Sequence, residues 1–311
     1  MRVETDEETY CLKPVRKSQS RLEFMHDVQE HVRKRGFDRV QPLLRTTSGS
    51  IAVWRRGVAW TLTPWVEGRE LSYDRLDEVT AAAAVLARFH LAVAAFISPA
   101  GSRWQSNLGK WPAKVASRCA ELLAAARTDP GGDRTFASHL SQLAPTLAAH
   151  TRRSLLALSS PAYRRLCQAE GGHAPVCHGD PAAHNFLVGA NGRVEMIDLN
   201  SLRIDLPCVD LWKLLRRVAF HLDWEPDAVL ALLGAYNSVR PVGPEERDVL
   251  LGLLWFPEKH WRLVVEASKA RVDWTVSRER GCPSPLALEV CRAGRQLPAK
   301  ERCLEMMADR L

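Results

Sequence analysis

The spacing of hydrophobic residues changes along the chain near residue 68. Before that point, short apolar runs bounded by glycine or polar turns are typical of strands, which are predicted over residues 8–12, 40–44, 50–54 and 58–63. Residues 20–35 instead have helical apolar spacing, with Ser18 or Ser20 as the N-cap and Gly36 at the end. This part of the chain is therefore predicted to be a small α/β unit.

After residue 73 the pattern is mainly helical. Short strands are predicted only over 175–179 and 193–197, on either side of a polar loop, and residues 64–68 are predicted to link two lobes. Surface loops are predicted at 130–133 and 241–244. The predicted helices span residues 76–97, 111–126, 135–158, 161–169, 210–222, 226–236, 245–255 and 258–272. The expected domains are a small N-terminal lobe over 1–68 and a helical C-terminal lobe over 69–311.

The composition favours a globular protein made in the cytoplasm. The 311 residues are 46% hydrophobic and 25% charged, which is ordinary for such proteins. No apolar run approaches the roughly 20 residues of a membrane-spanning helix, and the first residues do not resemble a signal peptide. None of the eight cysteines forms a CxxC pair, so reduced thiols are expected and a nucleophilic Cys177 is disfavoured.

The net charge of +7 favours anionic partners over strongly cationic ones. Nucleoside triphosphates, polyanionic surfaces and nucleic acid are all compatible with it. Nucleic acid is disfavoured, because no recognition motif accompanies the charge.

One segment carries the groups that phosphoryl transfer requires. This reaction needs a carboxylate to orient the attacking hydroxyl and oxygen ligands for magnesium on the nucleotide phosphates. Asp180 follows Gly179 in a tight turn, and Asn185 lies five residues later. A turn around residues 190–192 joins two apolar strands as a hairpin, which brings Asp198 to the same edge. The sequence thus predicts a magnesium site beside a catalytic acid.

The alternative interpretation is a hairpin whose Asp and Asn residues only make turns. A lone HxD or a lone IDL would favour that interpretation. The combined order of HxDxxxxN, an apolar hairpin, IDL and then Asp210 opening a helix is much more specific, and it favours function.

This pattern resembles the aminoglycoside phosphotransferase/choline kinase-like superfamily, whose members have protein-kinase-like folds. Nearly the whole chain also resembles the CotS family of spore coat proteins of endospore-forming bacteria. The segments that carry this narrower resemblance are residues 10–14, 21–24, 35–37, 65–69, 205–217 and 256–261. The resemblance implies an α+β, bilobal fold with a small β-rich lobe and a large, mainly helical C-terminal lobe.

The resemblance also implies roles for the loop residues. Asp180 would be the catalytic base, and His178 would brace the loop. Asn185 and Asp198 would bind Mg²⁺, and Lys13 would contact the α- and β-phosphates of ATP.

Further roles follow from the same resemblance. Glu23 would orient Lys13, with Asp27 and Glu30 as alternatives. The backbone at Trp65, Val66 and Glu67 would bind adenine. Structural roles are expected for Asp210, which supports the catalytic loop or caps its helix, and for His90 and Trp261, which pack in the core. His184 is ambiguous: it has no assigned role, and facing solvent is one alternative.

The chain also departs from the superfamily pattern. Only 12 residues precede Lys13 and none is glycine, so the strand pair with a phosphate-covering loop is expected to be missing, through a misassigned start or a real loss. Asp198 is followed by Leu199 and Asn200, so the DFG triplet is absent. Ala182 stands where protein kinases have a lysine, which favours small-molecule kinases.

The resulting hypothesis is a spore-coat-type, ATP- and Mg²⁺-dependent phosphotransferase that acts on a hydroxyl-bearing small molecule or coat component. The alternative is a coat protein with little or no catalysis that uses the same fold as an assembly surface for other coat proteins. The helical C-terminal region would select the acceptor, but its tryptophans at 224, 255, 261 and 274 show no readable code and are expected in the core.

Overall fold

The computed structural model describes residues 1–97, 106–127, 134–168, 175–269 and 284–310. The predicted loop 130–133, Cys282, Trp274 and the ends of predicted helices 161–169 and 258–272 lie outside these ranges. Among the described residues, seven cysteines are free thiols. No described helix is long and apolar enough to cross a membrane.

The chain forms two compact units, each assembled from several segments. The first comprises Met1–Leu108, Gln168–Val218 and Leu230–Val242, and the second comprises Gly109–Cys167, Ala219–Val229 and Gly243–Leu311. This division differs from the predicted boundary at residue 68. The reason is that the residues just after 68 form strand β5 (Arg69–Glu70), which pairs with a strand of the predicted catalytic hairpin.

A four-stranded antiparallel sheet opens the first unit. Its strands are β1 (Arg2–Glu4), β2 (Thr9–Val15), β3 (Val53–Arg55) and β4 (Val58–Pro64), in the order β1-β2-β4-β3. Strand β1 was not predicted. The strand predicted over 40–44 is wrong: Val40 makes a single bridge to Met196, and the Leu44 N–H donates to the Leu62 carbonyl.

Helix α1 (Gln19–Lys34) follows β2, and Ser18 caps it by accepting a hydrogen bond from the Arg21 N–H. Short strands and 3₁₀ turns build the rest of the loop region: β6 (Val176–Cys177), β7 (Phe186–Val188), β8 (Val194–Met196) and β9 (Arg203–Ile204). Strands β5, β7 and β8 form one sheet, and β6 pairs with β9. The predicted hairpin is therefore present, with Phe186 opposite Met196.

Most other described residues are helical, as expected. The helices are α2 (Leu76–Val93), α3 (Trp111–Arg127), α4 (Arg134–Leu158), α5 (Pro161–Cys167), α6 (Pro207–His221), α7 (Pro226–Asn237), α8 (Pro244–Trp255), α9 (Glu258–Lys269), α10 (Pro285–Arg295) and α11 (Leu297–Arg310). The last two were not predicted. A small sheet with a large helical portion matches the predicted α+β class.

The second unit is built around apolar faces of α3, α4, α9 and α10. Phe136, Leu140, Leu263 and Val290 are almost fully buried in this core. Burying a large apolar side chain stabilises a fold by roughly 1.5–3 kcal/mol. Helix α8 packs closely on α4, because Gly252 leaves room for Ala157.

A buried lysine from another helix caps the C-terminus of helix α8. Lys300 of α11 is 5% exposed, and its Nζ donates to the carbonyls of Trp255 and Phe256, each at 3.2 Å. These carbonyls lie at the helix C-terminus, where no intrahelical donor remains. Burial lowers the pKa of Lys300 to about 7, although Glu301 and Glu258 act to raise it.

We expect Gly252→Ala to destabilise the protein. A Cβ at this position would lie 2.4 Å from the Ala157 Cβ, so the two helices must move apart. Overpacking of this kind costs about 1–3 kcal/mol. The matched control is Gly234→Ala in α7, where a Cβ meets nothing within 4 Å. That change should stabilise the protein by about 0.5–1 kcal/mol. Urea unfolding of both variants checks the pair, and equal effects would contradict the packing argument.

We expect Lys300→Met to change how stability depends on pH. Between pH 7 and the ordinary lysine pKa of 10.5, the unfolded chain binds more protons at Lys300 than the folded chain does. The free energy of unfolding therefore gains a contribution that increases as the pH rises. From pH 7 to pH 9 the wild type should gain about 2 kcal/mol relative to the variant. The control is Lys269→Met, at an exposed position. If the free energies of unfolding of the wild type and Lys300→Met differ by the same amount at every pH, the lowered pKa of Lys300 is refuted.

Candidate active site

The turn that presents Asp180 requires glycine at position 179. Gly179 has φ +87°, and a Cβ there would lie 2.0 Å from the Ser201 carbonyl oxygen. Only glycine adopts this backbone without strain while leaving the approach open. The turn follows β6 directly, so a strand of the first unit fixes its position.

His178 braces the loop through both ring nitrogens. Its Nδ1 accepts from the Asp180 N–H at 3.3 Å, and its Nε2 lies 3.0 Å from the Ile197 carbonyl oxygen. This pairing defines the neutral tautomer with the proton on Nε2. Burial lowers the pKa of His178, although nearby Asp210 and the Ile197 carbonyl act to raise it. The ring therefore stays neutral near pH 7 and ties the loop to the hairpin, while its part in catalysis stays a prediction.

Asn185 links the turn at residues 179–183, called the catalytic turn after its predicted role, to the second strand of the hairpin. Its Nδ2 donates to the Asp180 carbonyl at 2.8 Å, and its carbonyl accepts from the Ile197 N–H at 2.9 Å. No hydrogen bond to its Oδ1 is found among the described residues. Because the amide nitrogen is already engaged, the oxygen is the atom left for a cation.

Asp198 lies beside Lys13 in an unusual backbone conformation. It has φ 59° and ψ 64°, which is the left-handed region, and such strain is concentrated at functional sites. Its Oδ2 accepts from Lys13 Nζ at 2.7 Å, and its Oδ1 accepts from Asn200. Burial acts to raise the pKa of Asp198, but Lys13 and Asn200 outweigh it and lower this pKa.

The ionised Asp198 carboxylate and the Asn185 amide oxygen fit Mg²⁺, which prefers hard oxygen ligands and keeps several waters. Lys13 supplies the positive charge at this carboxylate.

A cavity of about 460 Å³ opens beside this ion pair within the first unit. Lys13 and Asp198 line it together with apolar side chains such as Met25, Leu43 and Leu187. A mostly apolar pocket with a few charged groups is typical of a small-molecule site. Of the residues predicted to bind phosphate or metal, Lys13 and Asp198 line the cavity, whereas Asn185 does not.

The predicted adenine segment lies only in part at this cavity. Trp65 and Val66 line it, but Glu67 does not, and the Glu67 side chain is exposed and 3.4 Å from Arg2. The Trp65 N–H donates to the Thr9 carbonyl at 2.9 Å. Since the backbone N–H of Trp65 is engaged, adenine would have to bind the Trp65 carbonyl or the backbone of Val66.

The structure does not place Glu23 against Lys13. Glu23 is exposed and accepts from the Gln19 side chain at 3.0 Å, one turn earlier in α1. Instead, the face of α1 toward the cavity carries Met25 and Gln29. In the described residues, neither Asp27 nor Glu30 makes an ion pair with Lys13. Correcting the expectation, Asp198 is the partner of Lys13.

One face of helix α6 holds the catalytic turn. Both carboxylate oxygens of Asp210 accept from the Gly179 N–H, at 3.1 and 3.2 Å, and Lys213 Nζ donates to the Gly179 carbonyl at 2.8 Å. One helical turn later, Arg217 Nη2 donates to Asp180 Oδ1 at 2.6 Å. Sequence reasoning missed Lys213 and Arg217. Their signal was a stripe of ionisable residues at i, i+3 and i+7 in a mainly apolar helix.

Buried groups beneath the turn complete this support. His90 contacts the Tyr236 hydroxyl at 2.7 Å and Asp210 at 3.4 Å. Burial acts to raise the pKa of Asp210, but the charge of Lys213 and the hydrogen bond from His90 lower it. Cys177 lies close to His90 and Asp210, and burial raises the pKa of its thiol well above the usual value. The sulfur therefore stays protonated, and the group supports the loop.

Comparisons with known proteins identify the family of the chain. The model of the Phosphotransferase enzyme family matches residues 1–250. Spore coat protein S of Bacillus subtilis (strain 168) is 28% identical over 261 residues, covering 82% of this chain and 73% of that protein. This likeness confirms the predicted resemblance to spore coat proteins.

Solved structures share the fold at low sequence identity. An aminoglycoside phosphotransferase from Alicyclobacillus acidocaldarius superposes with a TM-score of 0.82 at 19% identity, covering 100% of this chain and 92% of that one. The AMP-bound complex of spectinomycin phosphotransferase APH(9)-Ia gives a TM-score of 0.60 at 13% identity, with 93% and 89% covered. The predicted kinase-like fold is thus confirmed, and the chain belongs to the Phosphotransferase enzyme family.

Proposed function

We propose that the protein is an ATP- and Mg²⁺-dependent phosphotransferase whose acceptor is a hydroxyl group on a small molecule or coat component. The observation that carries the proposal is the Lys13–Asp198 ion pair at 2.7 Å on the wall of the 460 Å³ cavity. It combines a phosphate-binding cation and a metal-binding acid from segments 185 residues apart. The amicoumacin kinase hAmiN, solved with AMP-PNP and Ca²⁺, has a similar fold at 12% identity.

Each residue has a defined task in this proposal. Lys13 binds the α- and β-phosphates, while Asn185 and Asp198 hold the metal. Bound Mg²⁺ would neutralise charge that develops on the phosphate oxygens. Asp180 orients the acceptor hydroxyl and takes its proton as the new oxygen–phosphorus bond forms and the bond to ADP breaks. His178 and the α6 stripe hold Asp180 in position.

A second candidate is a spore coat protein that uses the fold as an assembly surface. The observation that favours it is the face of α1, which presents Met25 and Gln29 to the cavity where an acidic partner of Lys13 was expected. The likeness to spore coat protein S supports a location in the coat under either candidate.

We expect MgATP to raise the melting temperature of the wild type, because a ligand that binds only the folded state stabilises it by mass action. Asp198→Ala should abolish the magnesium-dependent part of the shift, since it removes a metal ligand. Glu23→Gln, on the exposed face of α1, is the matched control and should behave as the wild type does. Thermal shift assays with ATP, with and without Mg²⁺, check this. No shift in the wild type would favour the assembly surface.

We expect Asp180→Asn to separate binding from transfer. The amide keeps the size of the carboxylate but does not accept a proton, and general-base catalysis is worth about 10²–10⁴-fold. MgATP affinity should therefore change little, while transfer falls by roughly 10²-fold or more. ADP release with a panel of polyols, hydroxy acids, amino alcohols and spore coat extract provides the measurement. Equal turnover by variant and wild type would exclude Asp180 as the base.

A further inference from the structure

Arg217 lies directly beside the proposed catalytic carboxylate. Its Nη2 donates to Asp180 Oδ1 at 2.6 Å, across 37 residues of sequence. The side chains of Arg217 and Asp180 are 21% and 37% exposed, so a ligand can reach both. The proposed function uses this guanidinium only to hold Asp180 in position and gives it no contact with a ligand.

The Arg217 guanidinium has hydrogen-bonding capacity that the described residues do not use. Arginine carries five N–H donors in a rigid fork. Only the bond from Nη2 to Asp180 is found in the described part of the chain, and Nη1 is buried there without a partner. A buried donor without a partner costs about 1–3 kcal/mol. Because Nη1 is buried, an acceptor oxygen would bind the N–H groups of Nε or Nη2, on the exposed fraction of the side chain.

Charged groups of both signs lie near Asp180, including Asp198 and Asp210 and the guanidinium of Arg217. The Tyr73 hydroxyl accepts from the Ala183 N–H at 3.0 Å, within the catalytic turn. Burial raises the pKa of Tyr73, while Arg217 and Arg216 act to lower it and Asp180 acts to raise it. Two guanidinium groups and one carboxylate thus lie close to the same phenol. The guanidinium groups of Arg217 and Arg216 are the cations that an anionic group of the acceptor would meet on this side of the turn.

The placement of Arg217 is fixed by its helix. Asp210 and Lys213 lie on the same face of α6. Asp210 accepts from the Gly179 N–H, and Lys213 donates to the Gly179 carbonyl. Arg217 is one turn further along this face, so the guanidinium is held beside the catalytic turn. With Asp180 Oδ1 engaged by Arg217, Oδ2 remains for the acceptor hydroxyl.

We propose that Arg217 forms an anion subsite next to Asp180, and that the acceptor carries a carboxylate or phosphate group close to its reactive hydroxyl. This inference rests on the proposed function and specifies its acceptor class. The guanidinium fork matches the paired oxygens of either anion, and such charge-assisted bonds are short and strong. The competing explanation is that Arg217 only positions Asp180.

The test is calorimetric titration of the full chain with inorganic phosphate, and separately with acetate to distinguish the two anions. The chain is first saturated with Mg²⁺ and AMP-PNP, which fills the nucleotide phosphate positions. We expect saturable binding of at least one anion to the wild type, weakened at least tenfold by Arg217→Gln. Arg217→Lys keeps the charge without the fork and should weaken binding about threefold. The control, Arg33→Gln on the exposed end of α1, should bind as the wild type does.

Equal anion affinity of the wild type and Arg217→Gln would overturn the proposal, as would no binding of either anion to the wild type. If Arg217 only positions Asp180, either of these binding results is expected, together with slower phosphoryl transfer by Arg217→Gln. If Arg217→Gln fails to fold, Arg217→Lys decides: affinity equal to that of the wild type overturns the subsite. A parallel titration without nucleotide separates the two proposals. Failure of AMP-PNP to bind contradicts the proposed function. Anion binding that depends on Arg217 in the titration without nucleotide still supports the subsite.

Discussion

The candidate site depends on the buried carboxylate of Asp210. Its two oxygens accept from a single backbone N–H, that of Gly179, and this contact fixes a turn whose own residues belong to no strand or α-helix. Burying a charge is costly unless it is paired and hydrogen-bonded. Lys213 and His90 supply that pairing, and Lys213 also binds the Gly179 carbonyl. The polar network therefore holds the turn in one conformation, and the geometry of Asp180 and Asn185 follows from it.

The local parts of this site could be predicted from sequence, because short-range chemistry determines them. Gly179, Asp180 and Asn185 lie within one loop, and an apolar hairpin with a glycine turn carries the chain to Asp198. The Ser18 cap of α1 was predictable for the same reason, since a hydroxyl before an amphipathic segment satisfies a free N–H.

The parts that depend on tertiary packing could not be predicted in the same way. Glu23 was expected at Lys13, but the rotation of α1 buries Phe24 and Met25 and leaves Glu23 in solvent. Residues 40–44 have the composition of a strand, yet Val40 and Leu43 are buried without a ladder, since β-propensity yields to packing context. The contact of Arg217 with Asp180 joins a helix to a distant loop, and only their packing brings the two charges together.

The left-handed backbone of Asp198 has a consequence for how this fold can evolve. Asparagine and aspartate are the side chains that adopt this conformation most readily apart from glycine, because their short polar groups bond locally. An asparagine there would keep the turn and its contact with Asn200 while removing the negative charge that pairs with Lys13. Aspartate and asparagine codons differ by one base, so a single transition would remove this charge and leave the backbone shape unchanged. If Asp198 holds the metal as proposed, that one base change would separate a chain able to bind the metal from one of the same shape that is not.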